Sequence, residues 1–237
     1  MKEKIYLVTG AAGLLGNNIV KQLTERGDKV RALGLPNDQA AEYLPEETEM
    51  IYGDITDRES LEQFFDGMEE KEAIVIHCAA IVTLEAEYQE KVFDVNVNGT
   101  KKIVSQCVDH KVKKLIYVSS TGAIPELPGD EEIREITHFS ANGMIGFYSQ
   151  TKAQATQIVL DAVKETGLDA SVVFPTGICR PNDFSRGPAT TFIQKYVEGK
   201  IPAGIAGYFN AADVRDLAYG CIACADKGRK GEGYIMG

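Results

Sequence analysis

The sequence predicts an α/β fold built on a doubly wound, mostly parallel sheet. Three observations predict it. Short apolar runs without polar alternation recur along the chain, as strands covered on both faces require. Stretches with helical apolar spacing separate them, the pattern of parallel strands joined by crossover helices. The first run leads through a glycine-rich loop directly into a helix, the context in which such a loop carries meaning.

The elements follow in order. Residues 5–8 form the first strand. Thr9-Gly10-Ala11-Ala12-Gly13-Leu14-Leu15-Gly16 comes next, and Leu15, Ile19 and Leu23 mark one helix face that ends near Gly27. Glycines let a backbone turn tightly and approach a pyrophosphate, and a helix N-terminus adds amide donors and a positive dipole end. The candidate phosphate cradle is therefore Gly10, Ala12, Gly13, Leu14, Leu15 and Gly16. A second strand spans 30–33 and a third 50–52, ending at Gly53-Asp54-Ile55. Thr56 and Glu59 have capping-box spacing for a helix carried by Leu61, Phe64, Phe65 and Met68. The fourth strand, 73–76, runs into His77-Cys78-Ala79-Ala80, whose small residues leave room for a cofactor. A long helix holds Asn96-Val97-Asn98-Gly99-Thr100. The fifth strand, 115–118, ends in Ser119-Ser120-Thr121, and loop-like sequence covers 125–130. Phe139, Met144, Ile145 and Phe147 are candidates for an apolar pocket mouth or for plain loop packing. The next helix begins near Tyr148 and stops near Gly167. A sixth strand spans 170–174, a helix ends at Val197 with Phe192, Ile193, Tyr196 and Val197 on one face, and a last edge strand follows near 234–236.

Within this frame Tyr148 and Lys152 stand four residues apart, about one turn along a single helix face. An ammonium beside a phenol favours the phenolate and lowers its pKa from ~10. That makes a proton donor and acceptor tuned toward neutral pH.

The spacing Thr-Gly-x-x-Gly-x-x-Gly, followed far downstream by Tyr-x-x-x-Lys, resembles the short-chain dehydrogenase/reductase superfamily. Ala11-Ala12 after the first glycine resembles its extended branch, which includes nucleotide-sugar epimerases and dehydratases, 3β-hydroxysteroid dehydrogenases and dihydroflavonol-4-reductase-like proteins. The resemblance implies a Rossmann domain over 1–175, with 176–237 supplying segments of a small or truncated substrate lobe and a return to the sheet. It implies an NAD(P)-dependent oxidoreductase, with a sugar-nucleotide epimerase or dehydratase and a non-catalytic dinucleotide-binding regulator as alternatives. The implied catalytic set is Thr121, Tyr148 and Lys152, with Asn96 kinking or supporting the active-site helix. Asp54 and Ile55 would meet the adenine, Ala79, Ala80 and Ser119 would line the cofactor, and Pro175, Gly177 and Ile178 would meet the carboxamide. Arg180 replaces the family's glycine after that turn and would face substrate, a phosphate or solvent. His77 reads as structural rather than as a base. Asn210 to Asp216 resembles the family segment that opens a late helix, and homodimerisation through the helices near 88–108 and 148–165 is expected by the same analogy.

The cofactor is read as NAD, with NADP open. No lysine or arginine occurs from Ala32 through Glu47, where a 2′-phosphate would need one; Asp38 is a candidate for the ribose or a plain loop residue. The net charge of −10 argues against nucleic acid and anionic membrane as partners, leaving a small-molecule substrate. No apolar run has the length of a membrane span, and the N-terminus runs straight into a strand rather than a signal peptide. Five scattered cysteines fit reduced thiols, so the expected location is cytoplasmic. Cys221 and Cys224 lie in an apolar helical pattern and read as buried small residues; no metal site is expected.

Overall fold

Seven strands make one sheet: β1 (Lys4–Thr9), β2 (Lys29–Gly34), β3 (Glu49–Tyr52), β4 (Glu72–His77), β5 (Lys114–Val118), β6 (Ala170–Pro175) and β9 (Gly233–Met236). The computed structural model describes residues 2–126, 132–179, 183, 187–201 and 210–237. The strand order is β3-β2-β1-β4-β5-β6-β9, and every neighbouring pair is parallel. Every residue of β6 is buried, as are the central residues of β1 and β4, which is why these runs lack alternation.

Helices cover both faces. On one side α1 (Leu14–Glu25) packs beside α7 (Val214–Lys227), and Leu15, Ile19 and Leu23 share a core with Leu217, Cys221 and Ile222. Cys221 and Cys224 are both buried there as free thiols. On the other side lie α2 (Arg58–Phe65), α4 (Thr100–Asp109) and α5 (Phe147–Thr166), with Phe64, Ile103 and Val159 in the second core. The long helix around Asn96 has three parts: α3 (Glu90–Phe93), a π-helical stretch Asp94–Gly99, and α4. A short parallel ribbon, β7 (Gly177–Cys179) with β8 (Ala211–Asp213), precedes α7, whose N-cap is Asp213.

Several local expectations differ. The cap of α2 is Asp57, not Thr56: its carboxylate accepts from Ser60 N at 2.8 Å. Thr56 is instead tied to Asp54 Oδ1 through its amide and hydroxyl, both at 2.8 Å. Phe139 and Phe147 are core residues rather than pocket-mouth residues. The apolar face of α6 (Pro188–Val197) is exposed at Phe192, Ile193, Tyr196 and Val197. Arg180 and much of the loop expected at 125–130 lie outside the described residues. Among the described residues no helix is long and apolar enough to cross a membrane.

The topology fixes where a ligand can sit. Successive connections run outward from β1 to β2 and β3, then the chain returns to β4 on the other side of β1. The crevice at the C-terminal ends of β1 and β4 is the switch point at which open parallel sheets bind ligands.

Candidate active site

The glycine loop occupies that crevice. Gly10 has φ +64°, and a Cβ on it would stand 2.7 Å from Ala79 N, so the turn out of β1 requires glycine twice over. A Cβ on Gly16 would stand 2.1 Å from Gly10 O, so only glycine lets α1 begin against the loop. Helix α1 runs for twelve residues from Gly13 as N-cap with no side-chain cap and no acidic residue in its first turn. Its first amides and dipole end are therefore left for an anion, which is the donor set a pyrophosphate needs.

A cavity of about 510 Å³ extends from this loop along the strand ends. Gly10, Gly13, Leu14, Leu15, Gly16, Ala80, Ser119, Tyr148, Lys152, Pro175 and Ile178 line it, all expected cofactor-binding positions. Ala12, Ala79 and Gly177 are not in the lining. Ala12 is buried behind the loop, Ala79 N donates to Thr9 Oγ1 at 3.3 Å, and Gly177 N donates to Asn210 O at 3.0 Å. Asp54 and Ile55 also lie outside this lining, Asp54 held to Thr56 and Ile55 buried in the core.

The serine run resolves by geometry. Ser119 Oγ is spent on Thr156 Oγ1 at 2.7 Å. Ser120 and Tyr148 line the same cavity, and Ser120 Oγ accepts from Gly122 N at 3.1 Å. Thr121, the hydroxyl expected to grip a substrate carbonyl, donates to Pro175 O at 3.2 Å and lines a different cavity. The strand ends at Val118, and a 3₁₀ turn, Thr121–Ala123, capped by Ser120, follows.

Lys152 also differs from expectation. Its Nζ donates to Val118 O at 2.7 Å and sits 4.8 Å from the centre of the Tyr117 ring. Burial lowers its pKa to about 7, only partly opposed by the Cys78 thiol. Burial likewise raises the Tyr148 phenol to about 12, with the Ser120 hydroxyl pulling the other way.

Behind the site runs a buried polar chain. Thr100 Oγ1 donates to Asn96 O at 2.7 Å, so it accepts from His77 Nε2 at 3.0 Å. His77 Nδ1 then carries no proton and accepts from Thr9 Oγ1 at 2.7 Å. Burial holds the His77 pKa down to about 3, so the ring stays neutral and serves as a spacer between β1, β4 and the π-helical turn. The Asn96 side chain accepts from Ile81 N at 2.8 Å and donates to Ile81 O at 2.9 Å and Thr151 Oγ1 at 3.1 Å. Thr151 in turn donates to Tyr148 O at 2.7 Å. Asn96 thereby ties the 78–82 segment to the first turn of α5.

Comparison with known proteins agrees with this geometry. The model of the NAD dependent epimerase/dehydratase family matches residues 6–237. The chain belongs to that family. It is 32% identical over 233 residues to sterol demethylase protein B of Methylococcus capsulatus, covering 97% of this chain and 68% of that protein. It is 28% identical over 236 residues to a putative dihydroflavonol 4-reductase of Synechocystis, covering 98% and 67%. The crystal structure of gox2253 superposes with a TM-score of 0.88 at 30% identity, covering 98% of this chain and 69% of that one.

For a member of an NAD dependent epimerase/dehydratase family the cofactor is NAD, and the residues fit it. Arg31, the cation nearest the end of β2, is committed to Phe64 O at 3.1 Å, Asp66 O at 2.7 Å and Glu49 at 2.8 Å. It is not free to hold a 2′-phosphate. Asp38 caps the 3₁₀ turn Gln39–Tyr43 by accepting from Ala40 N at 3.0 Å. Cys78, Val82, Ser120, Thr176, Asp183 and Gly187 line this cavity as well. Of these, Cys78 lies in the run of small residues after β4 and Ser120 in the hydroxyl run after β5, the two local signals the sequence carried.

Proposed function

We propose that this chain is an NAD-dependent oxidoreductase that interconverts a secondary alcohol and a ketone. The observation that supports the reading is that Tyr148, Ser120, Lys152 and the glycine loop line one cavity. NAD, when bound, supplies the hydride acceptor or, reduced, the donor. In reduction the Tyr148 phenol gives its proton to the carbonyl oxygen, and in oxidation its phenolate takes the proton of the alcohol. Ser120 Oγ donates to the substrate oxygen and orients it, the role expected of Thr121 from sequence. Lys152 holds the ribose side of the crevice, and its buried amine, with a pKa near 7, moves toward the cofactor's hydroxyls without a large loss of hydration. Asn96 keeps the first turn of α5 in register beneath these groups.

Tyr148→Phe should lose roughly 10²–10⁴-fold in kcat while keeping NAD affinity. A variant that turns over alcohols at the wild-type rate would remove the assignment. The same residue set also suits an epimerase, the reading that the family name favours. Absorbance of the purified protein separates the two: firmly retained dinucleotide speaks for the epimerase, exchangeable NAD for the dehydrogenase.

A further inference from the structure

Thr9 and Leu33 are register partners across β1 and β2, so the residues that follow Leu33 emerge next to the loop that starts at Gly10. In dinucleotide-binding sheets a carboxylate about twenty residues past the glycine loop binds the adenosine ribose 2′-hydroxyl, and an arginine nearby receives a 2′-phosphate. In this chain the first residue after β2 is Leu35. Its side chain is 52% exposed and has no hydrogen-bonding atom. The polar groups around it are engaged elsewhere. Gly34 O accepts from Gly53 N at 2.9 Å, and Leu35 O accepts from Asp38 N at 3.2 Å. Pro36 has no amide proton. Asp38 Oδ1 turns back to accept from Ala40 N at 3.0 Å. Arg31 is held by Phe64 O, Asp66 O and Glu49. Asn37, at φ +66°, is exposed and uncharged.

These residues bear on what the site can tell apart. A ribose hydroxyl beside an exposed leucine keeps its hydrogen bonds to water and gains no partner. An exposed neutral amide such as Asn37 only exchanges one water for one hydroxyl, a small net gain. A 2′-phosphate finds no lysine or arginine from residue 32 to 47 to replace its hydration, and that stretch carries the carboxylates of Asp38 and Glu42. We propose that Leu35 leaves the 2′ position of the adenosine ribose unread, so that the site takes NAD and its 2′-deoxy analogue alike and binds NADP poorly. The inference concerns the adenosine end of the cofactor and stands apart from the oxidoreductase reading: it holds for a dehydrogenase and an epimerase equally.

The test is equilibrium binding without substrate. NAD, 2′-deoxy-NAD (deoxygenated on the adenosine ribose) and NADP are titrated by calorimetry into dinucleotide-free wild-type protein, Leu35→Asp and Leu35→Arg. In the wild type the Kd values of NAD and 2′-deoxy-NAD should agree within about threefold, the low end of one neutral hydrogen bond, and NADP should bind more weakly than either. Leu35→Asp should come to prefer NAD over its deoxy analogue by roughly tenfold or more, the scale of a hydrogen bond to a charged group. Leu35→Arg should bring NADP level with NAD or tighter, since a guanidinium suits a phosphate. Each readout is a ratio within one protein, so a smaller folded fraction in a variant cancels. The proposal is overturned by a wild-type preference for NAD over 2′-deoxy-NAD beyond about threefold, by NADP binding as tightly as NAD, by ratios that neither substitution changes, or by no binding of any of the three. Turnover is not read, so loss of the alcohol–ketone assignment would leave these ratios standing, and the reverse also holds.

Discussion

Replacing Lys152 by methionine should make the dinucleotide-free protein more stable at acid pH, although it removes a residue of the site. The amine is 2% exposed and faces one carbonyl, Val118 O, with the Tyr117 ring beneath it. Burial displaces its pKa from the ordinary 10.5 to about 7. At about 1.4 kcal/mol per pH unit, burying the charged form costs up to about 5 kcal/mol relative to the unfolded chain. The sign follows from proton counting. Between about pH 7 and 10.5 the unfolded chain holds a proton that the folded protein releases, so wild-type stability rises with pH through that window. Below about pH 7 both states are protonated and the full penalty applies. Methionine has no such dependence, and all other groups are common to both proteins. In urea unfolding, the advantage of Lys152→Met should therefore be largest near pH 6 and shrink by about 2–3 kcal/mol by pH 9. A difference that stays constant from pH 6 to 9 would refute the argument, because the amine would then titrate alike in both states.

Other perturbations separate the remaining assignments. Ser120→Ala should cost roughly 10²-fold in kcat/KM, the usual effect of losing one positioned donor, whereas Thr121→Val should cost less than about tenfold because its hydroxyl faces Pro175 O; steady-state kinetics that reverse this order would return the role to Thr121. Gly16→Ala drives a Cβ to 2.1 Å from Gly10 O, so fluorescence titration should show NAD affinity falling about 10- to 100-fold, the scale of 1–3 kcal/mol of overpacking; an unchanged Kd would contradict the cradle. His77 should show the neutral Nε2–H tautomer by ¹⁵N NMR, and with its pKa held near 3 it should take up no proton at pH 5.5. Its contribution to stability is therefore lost only as pH falls from the unfolded value of about 6.5 toward 3; an imidazolium signal at pH 5.5 would break the buried chain as drawn. Asp57→Ala should destabilise the fold by about 1 kcal/mol through loss of the α2 cap, while Thr56→Val, which spares the cap, should not cost as much at that position.

Much of this protein was decided locally and could be read from the chain itself. Burial on both faces demands unbroken apolar runs, so the strands at 5–8, 73–76 and 115–118 declared themselves. The phosphate loop did too, since glycines at 10 and 16 are a backbone requirement and backbone requirements are written in residue type. Tyr148 and Lys152 share a helix face because helical periodicity makes them do so. Other features depend on which atoms meet across the fold. Sequence order cannot say which of three consecutive hydroxyls lines the Tyr148 cavity; in the fold Thr121 Oγ1 donates to Pro175 O, and Ser119 and Ser120 line the cavity. Nor can it say that the Lys152 amine meets Val118 O, because that contact joins residues 34 positions apart and its low pKa comes from burial among neighbours on other strands. Arg31 carries a charge in any listing of residues, yet only tertiary packing spends it on the carbonyls of 64 and 66 and so withholds it from a phosphate. Local pattern set the elements and the loop; side-chain direction and desolvation, which are properties of the packed whole, set the chemistry between them.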